Sequence, residues 1–149
     1  MVVKFKKMDS RAEMPTRGSR EAAGYDMAVV LDEAPEMPFD DYEMLAPFET
    51  RKFRSGIAIE LPPGYYARIE GRSHLVSKGL NVIHGIIDSD YRGEIKIVIQ
   101  NASSHWEKIH DGEKLAQIIV QKHETIEWEE AETLAESERG TGGFGSTGA

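Results

Sequence analysis

The sequence contains no cysteine, few aromatic residues and no long apolar run. The absence of cysteine excludes a disulfide framework, a thiolate zinc site and a cysteine nucleophile. No run approaches the roughly 18 apolar residues that a membrane-spanning helix needs, and the first seven residues lack the apolar core of a signal peptide. We therefore expect a cytoplasmic protein with no membrane partner.

The chain also lacks an excess of positive charge. Its 149 residues carry 26 acidic and 18 basic side chains, for a formal net charge of −8. A nucleic-acid polymer binds a broad basic face, so this balance argues against that class of partner. It does not argue against a single nucleotide, because a small anion needs only a few local cations and backbone N–H groups, and a bound divalent ion offsets further charge.

Short runs rich in β-branched residues, separated by Pro, Gly, Asp and Asn, fill most of the chain. This spacing predicts one all-β domain, built as a sandwich, a jelly roll or a barrel. Residues 51–70 predict a hairpin that turns at 62–64, and residues 71–79 predict a short helical turn. Residues 31–47 are acidic and punctuated by proline, which indicates a surface excursion. After Glu124 the chain turns acidic and then glycine-rich, as in a tail that orders only against something else.

The stretch from Gly85 to Gly93 places acids, an aromatic residue and a base between two glycines. It follows an apolar run and leads into an alternating strand pattern, so a rigid sheet would hold it where one strand ends and another begins. Asp88, beside Asp90, can orient a water molecule and accept its proton, which contributes roughly 10²–10⁴-fold in a hydrolase. Tyr91 can lie flat against a ring or a sugar.

Each of these residues also has a purely structural interpretation. Asp88 can be a turn aspartate bonded to its own backbone, Asp90 can pair with an arginine, and Tyr91 can be a core aromatic. Residues 72–74 offer a guanidinium, a hydroxyl and successive N–H groups to an anion, or form a surface turn with an ion pair. The five histidines show no metal-ligand spacing.

Five segments resemble, in order and spacing, the motifs of the trimeric dUTPase family. They are residues 23–26 (AGYD), 71–73 (GRS), 85–94 (GIIDSDYRGE), 112–117 (GEKLAQ) and 139–148 (RGTGGFGSTG). The resemblance implies a jelly-roll-like β-barrel over residues 1–125 and a flexible glycine-rich C-terminal arm over residues 126–149. It also implies a homotrimer with shared active sites, in which each arm closes over a neighbouring subunit's site.

The resemblance further implies a dUTP diphosphatase, which hydrolyses dUTP to dUMP and pyrophosphate, limits uracil in DNA and supplies dUMP for dTMP synthesis. Asp88 would align the water that attacks the α-phosphorus. Tyr91 would pack under the deoxyribose, where a ribose 2′-hydroxyl would clash. The backbone of residues 82–87, as a hairpin, would read the uracil edge. The implied cofactor is Mg²⁺, held mainly through the triphosphate without direct protein ligands, and Asp26 would reach it through water.

The substrate-binding residues implied by the resemblance are Arg72, Ser73, His74, Val82, Gly85, Ile86, Ile87, Tyr91, Lys96, Gln117, Arg139, Phe144, Gly145, Ser146 and Thr147. The group around Arg72 and Gln117 would hold phosphates, the tail would reach the γ-phosphate, and Phe144 would cover the uracil. Asp26 and Asp90 would support the site.

Two other functions stay open on the sequence. A dCTP deaminase resembles the same fold, but its chemistry uses a glutamate on the strand after the central motif, and residues 97–99 carry no acid. A non-catalytic nucleotide- or protein-binding β module would keep the fold without turnover.

His74 departs from the family pattern, which has a small residue there, and so crowds the phosphate or adds a pH-dependent charge. Residues 31–47 exceed the family minimum and leave room for an unidentified protein partner.

Overall fold

Eleven strands and one 3-10 helix make up the described residues, 1–32 and 41–142, of the computed structural model. The strands are β1 (Lys4–Lys7), β2 (Tyr25–Ala28), β3 (Tyr42–Leu45), β4 (Thr50–Arg54), β5 (Ile57–Glu60), β6 (Tyr65–Gly71), β7 (Leu80–Ile83), β8 (Gly85–Ile87), β9 (Lys96–Asn101), β10 (Glu107–His110) and β11 (Lys114–Lys122). The helix spans Ser73–Lys78, which confirms the predicted helical turn. Within these ranges no helix has the length and apolar content needed to cross a membrane.

Two larger antiparallel sheets carry the fold. One has the strand order β2-β11-β6-β8 and the other β4-β9-β7, and the pairs β1-β5 and β10-β3 complete the described strands. Strand residues alternate between the core and the outside, as on β9, where Ile97 and Ile99 are fully buried and Lys96 is exposed. The predicted all-β, jelly-roll-like fold is confirmed.

The predicted hairpin over residues 51–70 is wrong. β5 pairs with β1, whereas β6 pairs with β11 and β8, so the turn at 62–64 carries the chain from one pair of strands into another sheet. The prolines at 62 and 63 reverse the chain, but a turn signal does not determine which strands pair. Three successive residues of β5, Ile57–Ile59, are buried, so this strand is covered on both faces rather than lying at a half-exposed hairpin.

The predicted hairpin over residues 82–87 is also replaced by a different arrangement. β7 pairs with β9 and β8 pairs with β6, and each is the last strand of its sheet in the described part of the chain. An edge strand presents backbone N–H and C=O groups along one side. The chain therefore places two strand edges on either side of His84, which lies between β7 and β8.

The predicted surface excursion at residues 31–47 contains a structural strand. β3 lies within it and pairs with β10, and Leu45 at the end of β3 is completely buried. An acidic, proline-rich composition hid this strand, because the burial of one side chain is decided by its partner strand. Residues 33–40 lie outside the described ranges.

The chain leaves the barrel after β11. Residues 124–142 form no strand or helix, and residues 124–141 are all exposed. Their large apolar side chains are uncovered: the exposed fractions are 60% for Ile126, 90% for Trp128 and 89% for Leu134. The division into a barrel over 1–125 and an arm over 126–149 stays a prediction, and residues 143–149 lie outside the described chain.

Candidate active site

The acidic stretch of the central motif forms a tight turn directly after β8. The backbone N–H of Tyr91 donates to the carbonyl of Asp88 at 3.2 Å, and Arg92 Nη1 closes the same turn by donating to the carbonyl of Ser89 at 2.6 Å. Ile87, the last residue of β8, packs against the hydrophobic core. The turn is thus anchored to the sheet while its side chains face outward.

The Asp88 carboxylate is exposed and has no hydrogen-bond or ion-pair partner among the residues of known placement. It lines a cleft of about 320 Å³ together with Tyr65, Tyr66, Ile86 and, among others, His123. A turn aspartate that merely satisfied its own backbone would use its side-chain oxygens for that purpose. Asp88 does not, so its carboxylate is available to a ligand or a water molecule.

Tyr91 is held at the side of the turn rather than in the core. Its hydroxyl donates to the carbonyl of Glu94 at 3.1 Å, and 43% of the residue is exposed. The ring lies across Gly93, where an added Cβ would collide with it. Gly93 is therefore required for space, and the exposed ring provides an apolar surface beside Asp88.

A second group of site residues gathers where β2, β11 and β6 run side by side. Arg72 Nε lies 3.2 Å from Asp26 Oδ1, and Arg72 Nη1 donates to the carbonyl of Lys114 at 3.1 Å. A guanidinium has five N–H donors, so Arg72, whose side chain is 34% exposed, retains donors for an anion after these two contacts.

Gln117 is fixed beside the same arginine. Its Nε2 donates to the carbonyl of Gly71 at 3.2 Å, and its side chain occupies the space where a Cβ on Gly24 would stand. Gln117 is opposite Asp26 on β2 and opposite Glu70 on β6. The glycine of the first motif thus makes room for the glutamine of the fourth, a packing relation that the separated motifs did not reveal.

The two groups do not meet within one chain. Asp88 follows Ile87, the partner of Ala67, and shares its cleft with Tyr66, whereas Gln117 is level with Glu70. Tyr66 and Glu70 are four residues apart on β6, so the rise of a strand separates the two levels by roughly 13 Å. No hydrogen bond or ion pair joins the two groups in the ranges that the structure covers.

The other predicted site residues take varied positions. Ser73 and His74 are exposed on the 3-10 helix, Val82 is buried on β7, and Gly85 and Ile86 lie on β8. Lys96 pairs with Glu94 at 2.5 Å. Asp90 is exposed, and Arg72 pairs with Asp26 rather than with it.

The predicted residues of the tail are away from both groups or beyond the described chain. Arg139 is exposed, and its Nε donates to the carbonyl of Gly142 at 2.9 Å. Phe144, Gly145, Ser146 and Thr147 lie outside the described residues.

Sequence reasoning missed three features of the site: Glu94, Tyr66 and His123. The rings of Tyr66 and His123 lie on the wall of the Asp88 cleft, 6.3 Å apart between centroids and tilted at 57° to each other. Glu94 is largely buried, and its carboxylate accepts bonds from Gly56 N–H at 2.9 Å and Arg54 Nε at 3.2 Å. The acid directly after the motif's second glycine was the available signal for Glu94, whereas His123 carried none.

The carboxylates of the site suit a metal ion that arrives on a phosphate. In the described ranges no three His, Asp or Glu side chains converge as a metal site. Mg²⁺ keeps several waters and is usually bound through one or two carboxylates plus substrate phosphates. Asp26 pairs with Arg72, and its side chain is 17% exposed.

An antiparallel β fold that carries an unpaired acid beside an exposed aromatic residue, and an arginine that retains N–H donors on the same sheet, has the groups that a nucleotide-hydrolysing β protein needs. The chain belongs to the dUTPase family, whose model matches residues 10–148. The human mitochondrial deoxyuridine 5′-triphosphate nucleotidohydrolase is 37% identical over 149 residues, covering 99% of this chain and 55% of the human protein. The chain thus spans about half the length of that relative. The Hydrogenobaculum enzyme of the same name is 40% identical over 151 residues and covers 99% of both chains.

Solved structures show the same fold. The dUTPase of Staphylococcus bacteriophage 80alpha, with dUpNHpp, superposes with a TM-score of 0.85 at 26% identity and covers 99% of each chain. The dUTPase of phage phi11 of S. aureus, in which a structural Mg(II) ion is coordinated, superposes with a TM-score of 0.76 at 23% identity. This match covers 91% of this chain and all of the phage chain.

Proposed function

We propose that this protein is a dUTP diphosphatase, which hydrolyses dUTP to dUMP and pyrophosphate. Membership of the dUTPase family supports this activity. The observation that carries the mechanism is the Asp88 carboxylate: it is exposed in a cleft, is held on a turn anchored to the sheet and has no partner in the described chain. Other acids near the site, Asp26 and Glu94, are paired with cations and are less suited to accept a proton.

Asp88 acts as the general base in this proposal. It orients a water molecule and takes one of its protons, while the water oxygen forms a bond to the α-phosphorus. The bond from that phosphorus to the bridging oxygen breaks, and pyrophosphate leaves with the electron pair. The products are dUMP and pyrophosphate, and the proton resides on Asp88 until it is released to solvent.

The edges of β7 and β8 are the proposed reading surface for uracil. Each is an edge strand in the described chain, and the two belong to different sheets. A base with alternating donors and acceptors can pair with a strand edge as a neighbouring strand would. Cytosine presents an amino donor where uracil has a carbonyl, so the same backbone groups would reject it. The buried Val82 leaves this recognition to the backbone.

Tyr91 and the group around Arg72 and Gln117 supply the remaining substrate contacts. The exposed ring of Tyr91 would support the deoxyribose and exclude a ribose 2′-hydroxyl. Arg72 and Gln117, with the exposed Ser73 and His74, would hold the phosphates. Lys96 is assigned to the base pocket, although its ammonium group already pairs with Glu94.

We propose a homotrimer with shared sites, which the separation of the two groups supports. Asp88 and Gln117 lie roughly 13 Å apart along one strand direction, so a neighbouring subunit is proposed to bring the phosphate-binding group to Asp88. The arm, exposed over residues 126–141, would then place Arg139, Ser146 and Thr147 on the γ-phosphate and Phe144 over the uracil of a neighbour's site, with Gly145 as a further substrate-binding residue.

Mg²⁺ is the proposed cofactor. It would neutralise phosphate charge when bound with the nucleotide. Asp26 would hold it through water, and no direct protein ligand is assigned. Cytoplasmic location stays a prediction, since a human relative carries a mitochondrial name.

The activity is tested by measuring pyrophosphate and ammonia release by the purified protein with Mg²⁺, using dUTP, dTTP, dCTP and UTP in parallel. We expect pyrophosphate from dUTP alone. Ammonia from dCTP would replace the proposal by a deaminase. The buried Ile97 and Ile99, which occupy the strand where that enzyme needs an acid, argue against this outcome. Release of neither pyrophosphate nor ammonia from any of the four nucleotides would favour a non-catalytic binding module.

The arm is tested by deleting residues 139–149. We expect the truncated protein to keep its oligomeric state, measured by light scattering, and to lose most of its dUTP hydrolysis. Mixing the truncated protein with an Asp88→Asn full-length protein should restore part of the activity, because mixed trimers would combine intact arms with intact Asp88. Normal hydrolysis by the truncated protein alone would remove the arm from the mechanism.

A further inference from the structure

We propose that Glu94 is a positioning residue that fixes the Tyr91 ring and thereby sets the discrimination between deoxyribose and ribose. The inference rests on the proposed hydrolysis of dUTP and assigns to this acid a role in sugar specificity. Glu94 does not face the Asp88 cleft; it acts through its own main chain.

The Tyr91 ring is fixed by two contacts with the residues that follow it. Its hydroxyl donates to the Glu94 carbonyl at 3.1 Å, and the ring face lies on Gly93. The other described bonds of Tyr91 hold its main chain: the backbone N–H donates to the Asp88 carbonyl at 3.2 Å, and the backbone carbonyl accepts Arg92 Nη1 at 3.0 Å. The position of the ring is therefore determined by where the Glu94 carbonyl points.

The Glu94 carboxylate is held by three groups. Oε1 accepts the Gly56 backbone N–H at 2.9 Å and Arg54 Nε at 3.2 Å, and Oε2 accepts Lys96 Nζ at 2.5 Å. The side chain is only 14% exposed. Gly56 has a φ of +67°, and a Cβ there would stand 2.6 Å from the Cβ of Ala12. The group that receives Glu94 is therefore itself fixed by backbone conformation and packing.

The next residue, Ile95, fixes the other end of the peptide unit that contains the Glu94 carbonyl. Ile95 is fully buried, its N–H donates to the Ile57 carbonyl at 2.9 Å, and its carbonyl accepts the Ser55 hydroxyl at 2.6 Å. With the Glu94 side chain and the Ile95 backbone both held, the carbonyl between them has little freedom to turn. The hydrogen bond from Tyr91 therefore has a rigid acceptor.

The charge state of Glu94 matches this role. Burial raises the pKa of its carboxyl, but the hydrogen bonds from Lys96 and Gly56 and the charges of Lys96 and Arg54 outweigh burial and hold the pKa below its ordinary value. Glu94 is thus ionised at neutral pH and can bind both cations at once. A neutral side chain of the same shape would keep the Gly56 contact and lose the attraction of the cations.

The first test is the Glu94→Gln variant, assayed with dUTP and UTP. We expect the ratio of kcat/KM for dUTP to that for UTP to fall roughly tenfold, less than the ~10²-fold that a 1 Å misplacement can cost. Tyr91→Phe, which lacks the hydroxyl, should lower the ratio similarly, and the double variant should lose no more than either single variant, because both changes act on one contact. Equal losses on dUTP and UTP, or additive losses, would assign Glu94 a purely structural role and overturn the proposal.

The matched control is Glu60→Gln. Glu60 pairs with Lys4 at 3.1 Å on β5 and β1, and it contacts neither the turn nor Arg54. We expect its nucleotide ratio to equal that of the parent protein. A similar fall in this control would mean that any lost ion pair alters the ratio, which would also overturn the proposal.

A second measurement does not depend on activity. The chain has five tyrosines, and ring-labelled tyrosine gives an NMR signal for Tyr91 that is identified by its loss in Tyr91→Phe. We expect Glu94→Gln to shift this signal and to leave the other four in place, with Glu60→Gln leaving all five in place. An unmoved Tyr91 signal would overturn the positioning role. A parent protein without dUTP hydrolysis would instead overturn the proposed function, and the shift of the tyrosine signal would still decide whether Glu94 fixes Tyr91.

Discussion

The acids of the Asp88 turn and those of the cluster formed by Asp9, Arg54 and Glu94 have opposite environments. Asp88 and Asp90 are exposed and have no ion-pair partner in the described residues, whereas Asp9 and Glu94 each contact an arginine. The two regions are joined by a few residues of one motif. A carboxylate that cations already hold stabilises the backbone around it, and a carboxylate without a partner can bind water or a ligand.

From this difference we expect the paired acids near Arg54 to contribute to stability and the unpaired Asp88 to contribute to activity. The acids of the Arg54 cluster connect the segment after β1, β4 and the segment before β9, because Asp9, Arg54 and Glu94 come from those three parts of the chain. Asp88 connects nothing through its side chain. Substitutions in the two regions should therefore give opposite patterns in thermal stability and turnover.

The largest expected effect is that of Asp88→Asn. The amide keeps the size of the side chain but cannot accept the proton, so kcat for dUTP should fall by roughly 10²–10⁴-fold. Because the carboxylate makes no described contact, Tm should stay unchanged in calorimetry. The exposed Glu21, changed to Gln, serves as control with parent values for both. Near-normal turnover of Asp88→Asn, or a clear decrease in its Tm, would contradict the difference between the two regions.

The next effect concerns Arg72, the arginine that pairs with Asp26 inside the site. Arg72→Lys removes the planar donor set that reaches Asp26 and the Lys114 carbonyl together. We expect kcat/KM for dUTP to fall roughly 10–100-fold, as for the loss of charge-assisted hydrogen bonds worth about 1.5–3 kcal/mol.

Arg51→Lys is the matched control for that variant. Arg51 holds Glu43 and Glu49 on β3 and the start of β4, outside both site groups. Its replacement should lower Tm and leave kcat/KM unchanged. If the two lysine variants behave alike, the phosphate role of Arg72 is refuted.

The smallest effect concerns acid stability. Hydrogen bonds from Arg11 and the nearby charges of Arg11 and Arg54 lower the pKa of Asp9 from 3.8 to about 2. A lowered folded-state pKa stabilises the fold above the unfolded value, and this contribution disappears as the pH falls through the folded value. Asp9→Asn should therefore lower Tm by a few degrees at most at pH 6, with the difference shrinking between pH 4 and pH 2 at constant protein concentration. A Tm difference that is constant across this range would show that the ionised form is not what stabilises the fold.

Local signals in the chain predicted local structure well. Alternation predicted β9 and β11, the segment 71–79 predicted the helical turn, and the central motif predicted an acid and an aromatic at the end of a strand. The same signals failed on pairing: the turn at 62–64 predicted a hairpin, but β5 pairs with β1. A turn signal reports on a few residues, whereas pairing depends on which distant strand covers the apolar face.

The candidate site divides in the same manner. Arg72 and Gln117 were expected to act together on the phosphates, with Asp26 as a supporting residue, and the structure brings these three side by side through the register of β2, β11 and β6. Glu94 was not expected, because its position directly after the motif's second glycine, the one signal available, does not show which groups its carboxylate contacts. Its role became visible only through Gly56 and Arg54, about 40 residues earlier in the chain.

Composition and periodicity were enough to predict the all-β class, and the motif residues were enough to show the resemblance to the dUTPase family, because both depend on residues close together in sequence. The tertiary structure alone decided that β7 and β8 are edge strands of different sheets in the described chain, that Gly24 makes room for Gln117, and that Asp88 stays unpaired while Glu94 does not. Those outcomes depend on the positions of partners contributed by distant strands, and a linear pattern does not specify them.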